Sequence, residues 1–115
     1  MLSLPSSVRV FLCLVPADMR RSFDGLARMA AEVVQQDPLS GHLFVFRNRR
    51  GDRVKILCWD RDGYALWYKR LEAGVFRFPS AQGERIEVSS SELALVLDGI
   101  DLTSVKRHKR YARCY

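Results

Sequence analysis

FVFRNRRGDRVKILCWDRDGYALWYKR, residues 44–70, is the stretch whose reading decides the fold. Three runs of β-branched, aromatic and aliphatic residues are separated by short clusters, Asn48-Arg49-Arg50-Gly51-Asp52 and Asp60-Arg61-Asp62-Gly63. Gly, Asn and Asp in clusters this short are the residues of tight turns. The spacing predicts strands at His42–Arg47, Arg53–Trp59 and Tyr64–Leu71. Turns of this length join antiparallel neighbours, because a parallel pair needs a crossover of roughly a dozen residues or more. A hairpin closed at Asp60–Gly63 sets Trp59 opposite Tyr64 and carries Trp67 further down the ladder, so the two indoles are not expected to touch.

Outward from this hairpin, Val75–Phe78 and Arg85–Val88 read as two shorter strands, and Val8–Leu14 as another, ended by Pro16. Asp18 is placed to cap a helix whose apolar stripe is Phe23, Leu26, Ala27, Ala30, Val33 and Val34. Gly25 inside that stripe suggests a close neighbour. Pro38 ends the segment. Ser89 and Glu92 have capping-box spacing; Leu93, Val96, Leu97 and Ile100 follow, and Gly99 suits a left-handed C-terminal position. The expected class is α+β: an antiparallel β-meander of about five or six short strands, with one helix near each end of the chain, both over the same face. A chain of 115 residues is expected to be one domain, here 1–102, with a basic, flexible C-terminal tail at 103–115, extended or disordered.

Forty-eight per cent hydrophobic and 28% charged residues describe a folded chain rather than a disordered one. The three cysteines, Cys13, Cys58 and Cys114, are scattered and lack metal-ligand spacing, so reduced thiols are expected. No secretory leader is read, and no run approaches the ~20 apolar residues of a membrane-spanning helix. A cytoplasmic location and no membrane partner are expected. The net charge is +6, unevenly placed. Residues 44–79 hold nine basic and four acidic side chains, residues 80–101 one and five, and residues 102–115 five and none. Basic blocks in the sheet and tail point to a polyanion, commonly nucleic acid.

No nucleophile motif, glycine-rich phosphate loop or His/Cys cluster is present. Asp60 and Asp62 are the only tight carboxylate pair. As a metal pair they would suit phosphoryl transfer and a nuclease; as turn residues they need no further role, and the turn is preferred. No catalytic residue, metal or cofactor is therefore expected. The candidate nucleic-acid-binding residues are Arg47, Arg49, Arg50, Arg53, Lys55, Lys69, Arg70, Lys106, Arg107, Lys109 and Arg110. Lys55, Trp59, Trp67 and Lys69 could form a basic, aromatic platform on which bases stack. Alternatively the tryptophans belong to the core and its edge, with lysine stems across them.

PADMRRSFDGLA (16–27), DPLSGHLFVFRNRRGDRVKIL (37–57), WDRDGYALWYKRLEAGVFRFP (59–79) and LALVLDGID (93–101) together resemble the accessory protein of the sixty-six family of insertion sequences, TnpB, the product of the second open reading frame. The resemblance runs from Val8 to Asp101. It implies a mobile-element protein that assists transposition while a separate transposase carries the catalytic carboxylates. Two roles are open: binding DNA through the basic hairpin and tail, or docking on the transposase through the acidic segment Glu84–Asp101 or the aromatic sheet.

Overall fold

Apolar residues on both alternating faces of the central strands leave neither face to turn toward water, so the sheet they build must be covered on both sides. The computed structural model describes residues 7–101, 106 and 107. Its main sheet has the order β4-β3-β2-β1-β5. The strands are β1 (Val10–Cys13), β2 (Leu43–Arg47), β3 (Arg53–Asp60), β4 (Gly63–Arg70) and β5 (Arg85–Val88). All of β1, and β2 from Leu43 to Phe46, are buried. Along these strands alternate residues serve opposite cores. Phe11, Cys13, Phe44, Phe46 and Leu57 pack with Leu26, Met29, Ala30 and Val34. Val10, Leu12, Leu43, Val45, Val54 and Ile56 pack with Phe76, Leu93 and Leu97.

The α+β class is as expected, and every pair but one is antiparallel. The exception is β1 against β2, parallel in the register Val10↔Leu43 to Leu12↔Val45. The long connection that parallel pairing requires holds helix α1 (Phe23–Met29), continued by a π-wound segment, Ala30–Val34. Gln35 closes it with a left-handed φ of 61°. Helix α2 (Ser90–Asp98) follows β5 and is set by the capping box expected at Ser89 and Glu92 and by left-handed Gly99. The two helices do not share a face. The crossover places α1 on one side of the sheet, and α2 covers the other. Ile100–Asp101 (β6) and Lys106–Arg107 (β7) form a separate two-stranded pair. The rest of the 103–115 tail lies outside the described residues.

Two local expectations change. Val75–Phe78 is not a strand. Its backbone is engaged one residue at a time: Phe76 N–H donates to Gly51 O at 2.7 Å, and Arg47 Nη1 donates to Phe76 O at 2.9 Å. This anchors Phe76, fully buried, in the α2-side core. Nor does Asp18 cap α1, which starts one turn later behind Ser22. The intervening loop is held out of helical geometry because Lys55 Nζ donates to the carbonyls of Met19 and Arg21, both at 2.7 Å. Gly25 has the close neighbour its position suggests: an added Cβ would sit 3.2 Å from Arg21 Cβ.

Candidate nucleic-acid interface

Three connections meet where β1 and β2 end and β3 begins. Ala17 N–H donates to Arg47 O at 2.9 Å and ties the β1–α1 loop to the end of β2. Asn48 organises the β2–β3 turn. Its Oδ1 accepts from the N–H groups of Gly51 and Arg53, both at 3.0 Å, and its Nδ2 donates to Asp52 Oδ1 at 2.8 Å. That amide bond, with Arg50 and Arg53 nearby, lowers the Asp52 carboxyl from its ordinary value. Asp52 O accepts from Leu71 N–H at 2.8 Å, fixing the far side of the turn. The sequence needs Asn and Gly here because Gly51 has a φ of 82°, a left-handed conformation that a side chain disfavours. The result is a rigid tip that presents Arg49 and Arg50 to solvent.

Two adjoining clefts flank this tip. One, of about 660 Å³, includes Arg21, Arg28 and Arg49 in its wall. The other, of about 330 Å³, includes Arg49, Arg50 and Arg53. Arg49 and Asp18 belong to both. The acids present are Asp18, Glu32 and Asp52, against five arginines. Asp18 is already engaged: Arg20 Nη2 lies 2.7 Å from its Oδ2, and the Arg20 side chain holds the carboxyl down at about 2. Among the described residues Arg21, Arg28, Arg49, Arg50 and Arg53 form no salt bridge. The clefts therefore carry positive potential that no carboxylate cancels by contact, an arrangement suited to phosphate oxygens.

The expected site residues divide. Arg49, Arg50 and Arg53 come together at the clefts, and Arg70 stands opposite Arg53 in the β3–β4 ladder. Arg70 is partly occupied by Glu72 at 3.0 Å. Lys55 is a correction. It is 6% exposed, its ammonium is spent on the two loop carbonyls, and it lies 4.7 Å over the Tyr68 ring, so it is closed to a phosphate. Arg47 is likewise structural, stacked 4.3 Å over the Phe78 ring with its guanidinium on Phe76 O. Burial, with Arg77 nearby, lowers its pKa from the ordinary value. Lys69 pairs with Val54 and faces the α2 side, away from the clefts. Lys106 and Arg107 are placed by backbone only, in β7, and Lys109 and Arg110 lie outside the described residues.

The aromatic platform does not assemble. Trp59 pairs with Tyr64 and Lys55 with Tyr68, on the α1 side. Trp67 pairs with Ile56, and with Lys69 it faces the α2 side. Trp59 meets Tyr64 edge-on at 5.1 Å, in the register the turn predicts. Residues at i and i+8 along neighbouring strands do not share a face merely because both are aromatic; the antiparallel register decides.

Two arginines at the site were missed by sequence reasoning: Arg21 and Arg28. The segment they occupy is neutral overall, which hid them. Only Arg28 lies on α1; Arg21 precedes it in the β1–α1 loop, so no helical period links the two and no local signal was available. Asp60 ends β3 and Asp62 lies in the tight β3–β4 turn, and among the described residues no group of three His, Cys, Asp or Glu could hold a metal ion. His42 is structural, its Nδ1 accepting from Arg9 N–H at 2.9 Å. Cys13 and Cys58 are free thiols whose pKa burial raises. Among the described residues no helix is long and apolar enough to cross a membrane.

The profile of the family described as IS66 Orf2 like protein matches residues 8–107 of the chain. The uncharacterized protein y4hO of Sinorhizobium fredii is 44% identical over 100 residues, covering 85% of this chain and 87% of that protein. The uncharacterized protein y4jC of the same organism is 37% identical over 100 residues, covering 87% and 86%. No solved structure matches.

Proposed function

Since the chain belongs to the IS66 Orf2-like family, accessory proteins of insertion sequences, we propose that it assists transposition by gripping the DNA backbone without doing strand chemistry. The observation that supports this reading is the convergence of Arg21, Arg28, Arg49, Arg50 and Arg53 on two contiguous clefts, free of salt bridges among the described residues. The side chains available there are cations rather than a base-reading set. The tryptophans that could stack bases are turned to opposite sides of the sheet. Phosphate contacts of this kind position a protein on DNA and carry little sequence information. Binding is therefore sequence-independent and salt-sensitive.

The test is a salt titration of affinity for a duplex by fluorescence anisotropy. Each lost phosphate contact should flatten the log–log slope by about 0.9. An Arg49→Ala, Arg50→Ala, Arg53→Ala variant keeps its fold, because Arg49 and Arg50 are exposed and Arg53, at the start of β3, gives up only an exposed hydrogen bond to Tyr68 Oη, and it binds more weakly with a shallower slope. Unchanged affinity and slope in that variant and in Arg21→Ala, Arg28→Ala would overturn the reading. The result would then favour docking on the element's transposase, for which α2 offers an outer face with exposed Glu92, Leu95 and Asp98.

A further inference from the structure

The two edges of the sheet are unequal. β5 is four residues long, and its Glu87 is held by Arg9 in a two-bond ion pair. β4 is eight residues long, without proline, and among the described residues no strand pairs with its outer side. A long, regular edge is a template for another strand. The register shows which backbone groups it offers. Leu71 N–H donates to Asp52 O, so Asp52–Leu71 is a hydrogen-bonded pair. Pairs alternate along an antiparallel ladder. The groups of Gly63, Ala65, Trp67 and Lys69 therefore turn inward to β3, and those of Tyr64, Leu66, Tyr68 and Arg70 turn outward. No other backbone hydrogen bond of the described residues uses that outward set.

We propose that this edge pairs with β4 of a second copy of this chain, antiparallel about a two-fold axis at Leu66. Only registers that set outward groups against outward groups can close the ladder, and the side chains choose among them. With Leu66 opposite the second copy's Leu66, Tyr64 lies opposite Tyr68, and Asp62, in the turn just before β4, comes beside Arg70, which would share its guanidinium between Asp62 and its own Glu72. On the α2-side face the exposed Trp67, 43% accessible, lies opposite exposed Ala65, a large ring against a methyl group. Basic Lys69 lies opposite Gly63. Slipping by two residues instead sets Asp62 against Glu72, two acids. At these ladder positions the charges are opposite, Asp62 at the turn end and Arg70 at the far end, so antiparallel self-pairing brings them together twice. Cross-strand neighbours at this spacing interact directly. Lys69 and Arg70, which would repel a parallel or end-matched copy, select this register. The two sheets become one of ten strands, with an isologous interface. No cleft-lining residue belongs to β4.

Sedimentation equilibrium of the full chain over a range of concentrations tests it. The expected result is a monomer–dimer equilibrium, the dimer having twice the 13.2 kDa chain mass. Asp62→Arg, a change at an exposed turn, should weaken the dimer about tenfold or more by turning two attractive pairs into repulsive ones. The double variant Asp62→Arg, Arg70→Asp should restore it, which a surface elsewhere would not do. Leu66→Pro removes an outward N–H that β3 does not use, and should also yield monomer while circular dichroism stays native. A wild-type monomer at every concentration, or a dimer indifferent to Asp62→Arg and to the double change, would overturn the proposal.

Discussion

Replacing Lys55 by methionine separates its structural role from the phosphate-binding one that its charge suggests. The side chain keeps its length and its contact with the Tyr68 ring, and loses the ammonium that holds Met19 O and Arg21 O at 2.7 Å. A hydrogen bond from a charged donor is worth about 1.5–3 kcal/mol. Two such bonds are lost, but both carbonyls lie in a loop where water can replace part of the loss, and methionine avoids the cost of desolvating a charge. The net destabilisation is about 2–3 kcal/mol. A domain of this size unfolds with an entropy that converts 1 kcal/mol to roughly 4 °C, so Tm should fall by about 10 °C. The urea midpoint should fall by about 1–2 M. The loop from Ala17 to Ser22 forms one wall of both clefts, so DNA affinity should fall only where that loop has loosened. A stability loss below about 0.5 kcal/mol in urea unfolding, coupled with a clear loss of DNA affinity, would refute the structural assignment and return Lys55 to the phosphate ligands.

Gly51→Ala should destabilise by about 1–2 kcal/mol in urea unfolding, because its φ of 82° is left-handed and a Cβ would lie 3.3 Å from Val75 Cβ; an unchanged midpoint would contradict the turn geometry. The Asp18 carboxyl should titrate near 2 by NMR rather than at its ordinary 3.8. A carboxylate whose folded pKa is depressed stabilises the fold above its unfolded pKa, so this contribution should be complete above pH ~4 and vanish as pH falls through about 2. Arg20→Ala should return the midpoint toward 3.8, and a midpoint that stays near 2 would assign the shift elsewhere.

Much of the secondary structure was legible because its signals are local. The Asp60–Gly63 turn by itself sets Trp59 against Tyr64, and Ser89 with Glu92 marks the start of α2 within one residue. The start of α1 was not legible from Asp18, because what displaces it is an ammonium on β3, more than thirty residues away in the chain. Val75–Phe78 has strand composition, yet its hydrogen bonds go to a turn and an arginine side chain that no local pattern reveals.

What the sequence by itself determined is the α+β class, the register of the β3–β4 hairpin, the start of α2 and the family, all carried by residues within a few positions of one another. The tertiary structure alone decided that β1 and β2 run parallel, that the helices take opposite faces, and that Arg21 and Arg28 join Arg49, Arg50 and Arg53 while Lys55 and Arg47 turn inward. Period-two alternation fixes which residues share a side of a strand. In a sheet buried on both sides it does not say which helix covers which side. A long cation can end in water or on a carbonyl, and only the neighbours that folding brings to it choose between them.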